Sequence, residues 1–173
     1  MSRWLAILPL VVLACLAALF AGYALHHDPH VNPDALVGKP VPPGALQPLD
    51  GGAPSPPGRA VRGPMLINFY GSWCAPCVEE APALMALKAQ GAPIVGVAYK
   101  DTADKTRIYL QANGNPYAAI FMDPDGRAGV DFGITGVPET FAVSAEGVVL
   151  AKHVGPLQPG DAEALLDRIG RGR

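Results

Sequence analysis

The stretch NFYGSWCAPCVEEAP, residues 68–82, sets two cysteines three positions apart between an apolar run and a helix-forming one. Upstream, MLINFY (Met65–Tyr70) is short, apolar and rich in β-formers, and reads as a buried strand. Downstream, APCVEEAPALMALKAQG reads as a helix stopped at Gly91. Cys74 therefore falls at a helix N-terminus, where unpaired N–H groups and the helix dipole favour a thiolate. Cys77, one turn on, is placed to resolve a mixed disulfide. This order makes Cys74 the nucleophile and Cys77 the resolving thiol. Pro82 lies inside the helical run and is expected to kink it.

Other uses of such a pair fit less well. A four-ligand zinc site needs a second pair or two spaced histidines. Beyond the pair, the chain holds only Cys15, within the N-terminal apolar block, and His26, His27, His30 and His153. Copper capture with a distant His153 is a subtler rival, although His153 sits in an alternating strand pattern where plain packing explains it. A purely structural disulfide gains little from so short a loop, because the stabilisation grows with loop length. No metal is expected, and no cofactor beyond the sulfurs themselves.

Further along, PIVGVAY (Pro93–Tyr99) reads as a second buried strand. KDTADKTRIYLQANG reads as a helix with Asp101 or Thr102 as N-cap and Gly114 as its stop. YAAIFMD (Tyr117–Asp123) is a third strand, closed by the turn DPDG. ETFAVSAEGVVLAKHVG is a hairpin turning at Ala145–Gly147, and PGDAEALLDRIG is a closing amphipathic helix. Strands alternating with helices imply an α/β fold, a central mixed sheet flanked by helices. Before all this, His27–Pro64 carries ten of the 19 prolines, which implies extended or irregular chain. Within it, Val37–Gly52 suggests an edge strand or hairpin turning at the DGG of Asp50–Gly52.

The N-terminal block Trp4–Leu25 has no charged residue. As a helix it would measure about 33 Å, against a bilayer core of ~30 Å. Arg3 before it favours an N-terminus left in the cytoplasm. The expected order is thus 1–3 cytoplasmic, 4–25 a transmembrane signal-anchor, 26–36 a periplasmic spacer and 37–173 the folded domain. Cleavage after Gly22-Tyr23-Ala24 is the alternative, but an h-region of only ~7–15 residues is usual for a cleaved signal. Val12-Leu13-Ala14-Cys15 faintly resembles a lipoprotein signal; Cys15 reads better as a small apolar residue of the helix. Net charge is −2, and eight of the 13 Lys and Arg are scattered among acids between Lys88 and Arg171, so no nucleic-acid surface is expected.

Three features together resemble the thioredoxin fold: Trp73-Cys74-x-Pro76-Cys77, Pro82 in the following helix, and Val137-Pro138-Glu139-Thr140 before the hairpin. The resemblance implies that Pro138 is cis and packs against the cysteines, and that the backbone at Val137 pairs with a substrate peptide by strand addition. More narrowly, the chain resembles the membrane-anchored DsbE/CcmG thiol:disulfide interchange proteins of cytochrome c maturation. The landmarks are VGKPVP (37–42), NFYGSWCAPCVEEAP, GVAYKD (96–101), GNPY (114–117) and GITGVPETF (133–141). That family reduces disulfides of the apocytochrome c haem-binding motif, or of a haem-attachment partner, with electrons from a membrane thiol-reductase donor. By the same resemblance, Trp73, Val137, Pro138, Tyr99, Asp101, Asn115 and Tyr117 are candidate substrate-binding residues.

Thioredoxin buries an aspartate where this chain has Asn68, and an amide cannot take a proton from Cys77. Two carboxylates are candidate replacements for pKa tuning and proton transfer. Glu80 lies one turn past Cys77 on the same helix face, and Glu139 directly follows Pro138. A carboxylate near the pair disfavours the thiolate, which destabilises the reduced form and makes a better reductant. Ala75-Pro76 between the cysteines adds no cation to oppose this. The expected protein is a reductant working in an oxidising compartment.

Overall fold

The computed structural model describes residues 3–26 and 36–171, which fall into two units. The first is α1, Arg3–His26, with Pro9 inside it. Side chains along α1 are described for 8–23, all of them exposed. Among the described residues no helix is long and apolar enough to cross a membrane. The expected spacer runs through 27–35, which lie outside the described residues.

In the second unit, the run MLINFY forms β2 (Met65–Tyr70), buried at every position, so it takes the middle of the sheet. A six-stranded sheet surrounds it in the order β1-β4-β3-β2-β5-β6. β3 (Ile94–Tyr99) and β4 (Ala119–Asp123) run parallel to β2. β5 (Glu139–Val143) pairs antiparallel with β2, and β6 (Val149–Val154) with β5. β1 is only Gln47–Pro48, antiparallel to β4 at the edge. The expected hairpin is present around it: Leu46 and Ser55 exchange backbone hydrogen bonds of 3.0 Å across the Asp50–Gly52 turn.

Side chains alternate across a strand, and the two faces bury different cores. On one face Leu66, Tyr70, Ile94, Ala98 and Ala142 meet α2 (Ala75–Ala89), α3 (Ala103–Asn113) and α5 (Pro159–Arg171). On the other, Met65, Ile67, Phe69, Val95, Val97 and Phe141 pack under Phe132 and under Val41, Leu46 and Val61 of the N-terminal segment. Phe69, Phe132 and Phe141 form a ring cluster there, with centroids 4.8–5.9 Å apart. α5 buries Ala162, Leu165 and Ile169, a stripe at helical spacing.

α2 runs to Ala89 as one helix with Pro82 inside it, as expected. Thr102 takes the N-cap of α3 without a side-chain cap bond, and its own N–H donates to the Asp101 carboxylate at 2.8 Å. A short helix, α4 (Arg127–Asp131), follows the DPDG turn, and its Ala128 and Gly129 N–H groups donate to Asp123 at 3.1 and 3.0 Å.

Candidate active site

The chain leaves β2 at Tyr70, turns through Gly71–Trp73 and enters α2 with Cys74 as N-cap. A Cβ on Gly71 would come within 2.8 Å of the Trp73 ring, so glycine lets the turn fold this tightly. Asp101, at the end of β3, holds the same turn: its carboxylate accepts from Ser72 N–H at 2.7 Å and from Ser72 Oγ–H at 2.9 Å. Trp73 is thereby left 58% exposed beside the cysteines.

Cys74 and Cys77 are joined by a disulfide. Cys74 Sγ accepts the Cys77 N–H at 3.2 Å, the interaction that would stabilise a thiolate there. Cys77 is fully buried and Cys74 is 4% exposed, so the first sulfur is the one solvent touches. Val137 O lies 3.4 Å from Cys74 Sγ, and the Val137–Pro138 bond is cis. A distant segment thus sits directly over the attacking sulfur.

Below the pair lies a buried polar network that the sequence reading saw only in part. Glu80, fully buried, accepts from Asn68 Nδ2–H at 2.9 Å and from Leu157 N–H at 3.1 Å. Asn68 also donates to Thr140 Oγ1 at 3.0 Å and accepts from Tyr117 O–H at 2.7 Å. The Tyr117 ring lies flat on β3 because residue 96 is glycine; a Cβ there would come within 2.9 Å of it. Tyr70 stacks on Tyr117 with centroids 4.8 Å apart, and Tyr109 donates to Cys77 O at 2.8 Å. Burial pushes the Glu80 carboxyl up to about 7 from 4.5, and its two hydrogen bonds only partly offset that. Burial also raises Tyr109 to about 12, with the nearby Glu80 adding to the rise.

The structure does not bring every candidate residue to the cysteines. Glu139 pairs across the ladder with Phe69, whereas its neighbour Thr140 pairs with Asn68. Alternation therefore turns Glu139 onto the face opposite α2, where its carboxylate meets Lys152 Nζ at 2.7 Å and Thr135 N–H at 2.7 Å. Placing it beside the sulfurs is corrected accordingly. Tyr117 is core, only 6% exposed, so it supports Asn68 from beneath rather than touching a substrate. Asp101 is buried at 4% and acts on the Ser72 turn. Tyr99 points to the far face, under Gly126 and Gly129. Asn115 accepts from Lys88 Nζ at 2.7 Å through its carbonyl, at the opposite end of α2 from Cys74. Glu79 is exposed.

An α/β domain of this topology, with a buried C-x-x-C disulfide at a helix N-terminus, defines a thiol:disulfide oxidoreductase. The chain belongs to the Redoxin family, whose profile matches residues 36–167. It is 42% identical over 160 residues to the thiol:disulfide interchange protein HelX of Rhodobacter capsulatus, covering 91% of this chain and 90% of that one. It is 36% identical over 170 residues to the thiol:disulfide interchange protein DsbE of Escherichia coli, covering 92% and 89%. Among solved structures, a thiol:disulfide interchange protein of the thioredoxin family from Chlorobium tepidum superposes with a TM-score of 0.60 at 28% identity, covering 75% of this chain and 94% of that one.

Proposed function

We propose that this protein is a membrane-anchored reductant of the periplasm. Its substrates would be the disulfides of the apocytochrome c haem-binding motif, or of a haem-attachment partner. Trp4–Leu25 is the anchor, and a membrane thiol-reductase restores the dithiol.

In the forward step the Cys74 thiolate attacks one sulfur of the substrate disulfide and expels the other as a thiolate, leaving a mixed disulfide. Cys77 loses its proton and attacks Cys74 Sγ, releasing the second substrate sulfur and closing the Cys74–Cys77 disulfide. Two electrons pass to the substrate, and two protons go with them. Glu80 is the acceptor for the Cys77 proton. Lying one turn along α2, it has an affinity matched to neutral pH, which suits a group that must take and then give up a proton. Val137 and Pro138, with exposed Trp73, form the edge where an extended peptide would lie. Asp101 and Tyr117 serve from below, and Tyr99 and Asn115 have no part in the step.

The observation that carries the reducing direction is Glu80 itself. Its described hydrogen-bond partners are Asn68 and Leu157 N–H, with no cation among them. When ionised it raises the free energy of a thiolate above it, and so of the reduced form. The test is equilibration with a glutathione buffer and reduction of an oxidised C-x-x-C-H peptide. A potential well below that of glutathione, with the peptide reduced faster than an unrelated disulfide peptide, is expected. Equal rates for both peptides would mark a general thiol reductase instead, and a potential above glutathione would reverse the direction. For the anchor, membrane-bound protein beginning at or near Met1 is expected; a soluble product beginning near Leu25 would show cleavage.

A further inference from the structure

On the face away from the cysteines, two fully buried side chains, Glu139 and Lys152, form an ion pair at 2.7 Å. Burying such a pair costs desolvation that its own attraction seldom exceeds, so stability alone does not explain it. Several of the bonds described for the pair reach one short loop. Glu139 Oε1 accepts from Thr135 N–H at 2.7 Å and from Thr135 Oγ1–H at 2.8 Å. Lys152 Nζ donates to Gly133 O at 3.0 Å and lies 5.5 Å from the Phe141 ring centroid. Just past β6, the Gly155 N–H donates to Pro138 O at 2.9 Å. Residues 133–138 are thus tied at Gly133, Thr135 and Pro138, while Val137 O, between the last two, faces Cys74 Sγ at 3.4 Å.

We infer that Glu139 and Lys152 are a positioning pair that fixes the Gly133–Pro138 loop, and with it the Val137 edge on which a polypeptide substrate docks. The pair acts on substrate binding through the loop and leaves the sulfur chemistry alone. This rests on the reading above that Val137 presents the docking edge. Strand addition needs a backbone edge held at fixed spacing, and a loop without its ties would have to be ordered each time a substrate binds. A small disulfide with no backbone to pair would not notice.

The experiment compares three variants with wild type on three substrates. Lys152→Met removes the cation, Lys152→Arg keeps it, and Thr135→Val removes only the hydroxyl donor. Thr135 is exposed, so that variant keeps its core. The substrates are the oxidised C-x-x-C-H peptide, insulin, and hydroxyethyl disulfide. For Lys152→Met, KM for both polypeptides should rise about tenfold, the equivalent of one charge-assisted hydrogen bond. Its kcat, the hydroxyethyl disulfide rate and the Cys74 thiolate titration should stay within twofold or within error. Lys152→Arg should restore KM, and Thr135→Val should raise it about threefold, as for a weaker neutral bond. Insulin keeps the split readable if wild type ignores the haem-motif peptide, a result that would sink the substrate proposal and not this one. A uniform loss on all three substrates, a shifted thiolate titration, or an unchanged KM in Thr135→Val would overturn the positioning role.

Discussion

Glu80 and Glu139 are both fully buried, one on each face of the sheet. Glu139 sits against Lys152, with its other oxygen taking two hydrogen bonds from Thr135. Among the described residues Glu80 has only neutral donors, the Asn68 amide and the Leu157 N–H, and burial raises its proton affinity to the middle of the physiological range. The same side chain thus meets two settings: on one face it lies beside a cation, and on the other it lies among amides, where burial raises its proton affinity one turn from Cys77. The difference follows from the partner each face supplies.

The two faces should part most sharply at the sulfurs. Cys74→Ser should abolish exchange with every disulfide, since the domain's other cysteine, Cys77, is fully buried. Cys77→Ser should instead accumulate mixed disulfides through Cys74, visible as adducts by mass spectrometry after incubation with oxidised peptide. Adducts mapped to position 77 in a Cys74→Ser protein, with normal turnover, would reverse the two roles. No substitution of the Glu139–Lys152 pair should trap an adduct.

The second contrast is in pH. Between pH 4.5 and about 7 the folded protein keeps a proton on Glu80 that the unfolded chain has released. Stability therefore falls as pH rises through this window: the contribution is complete below pH 4.5 and gone above about 7. The upward shift corresponds to roughly 3 kcal/mol. Urea unfolding of wild type against Glu80→Gln across this range isolates the term as the difference between the two curves, and that difference should be sloped. The same variant should raise the reduction potential by on the order of tens of millivolts, because the thiolate loses a negative neighbour. Parallel stability curves and an unmoved potential would mean that Glu80 is a spectator.

What the sequence showed, and what it hid, follows from the same alternation. β2 and β3 were legible because continuous apolar runs have few other homes, the β5–β6 hairpin because two alternating runs flank a turn, and Cys74 and Glu80 because a helix repeats on its face every three or four residues. Glu139 was misplaced because adjacency to Pro138 was taken as proximity to the sulfurs, whereas neighbours in a strand point to opposite faces. Asn115 and Tyr117 were grouped as one motif, yet one ends a helix connection and the other fills the core beneath Cys77. RAGVD, too short for a periodic signal, gave no warning of α4. The Lys152 partnership was hidden because it spans the β5–β6 register, Glu139 against Val154 and Phe141 against Lys152, which only the paired hairpin defines.

The smallest effect worth measuring concerns Tyr117→Phe. Its hydroxyl donates to Asn68 Oδ1 at 2.7 Å, and that bond fixes which end of the amide faces Glu80. With the carbonyl end so occupied, Nδ2 must point at Glu80 Oε1 and Thr140 Oγ1, both acceptors there. A donor aimed at the carboxylate favours the ionised form and holds its proton affinity down against burial. Phenylalanine keeps the ring against Gly96 and Tyr70 but frees the amide to turn over. Turned, Asn68 Oδ1 faces Glu80, and only a protonated carboxyl can donate to it. The variant should lose about 1 kcal/mol, one buried hydrogen bond, and its Glu80 titration should move above that of wild type. The measurement is the Glu80 side-chain carboxyl carbon shift against pH by NMR, with the Asn68 amide protons as reporters of the turn. A titration that stays in place while stability drops would mean that Tyr117 only fills space, and that the amide is held by Thr140 alone.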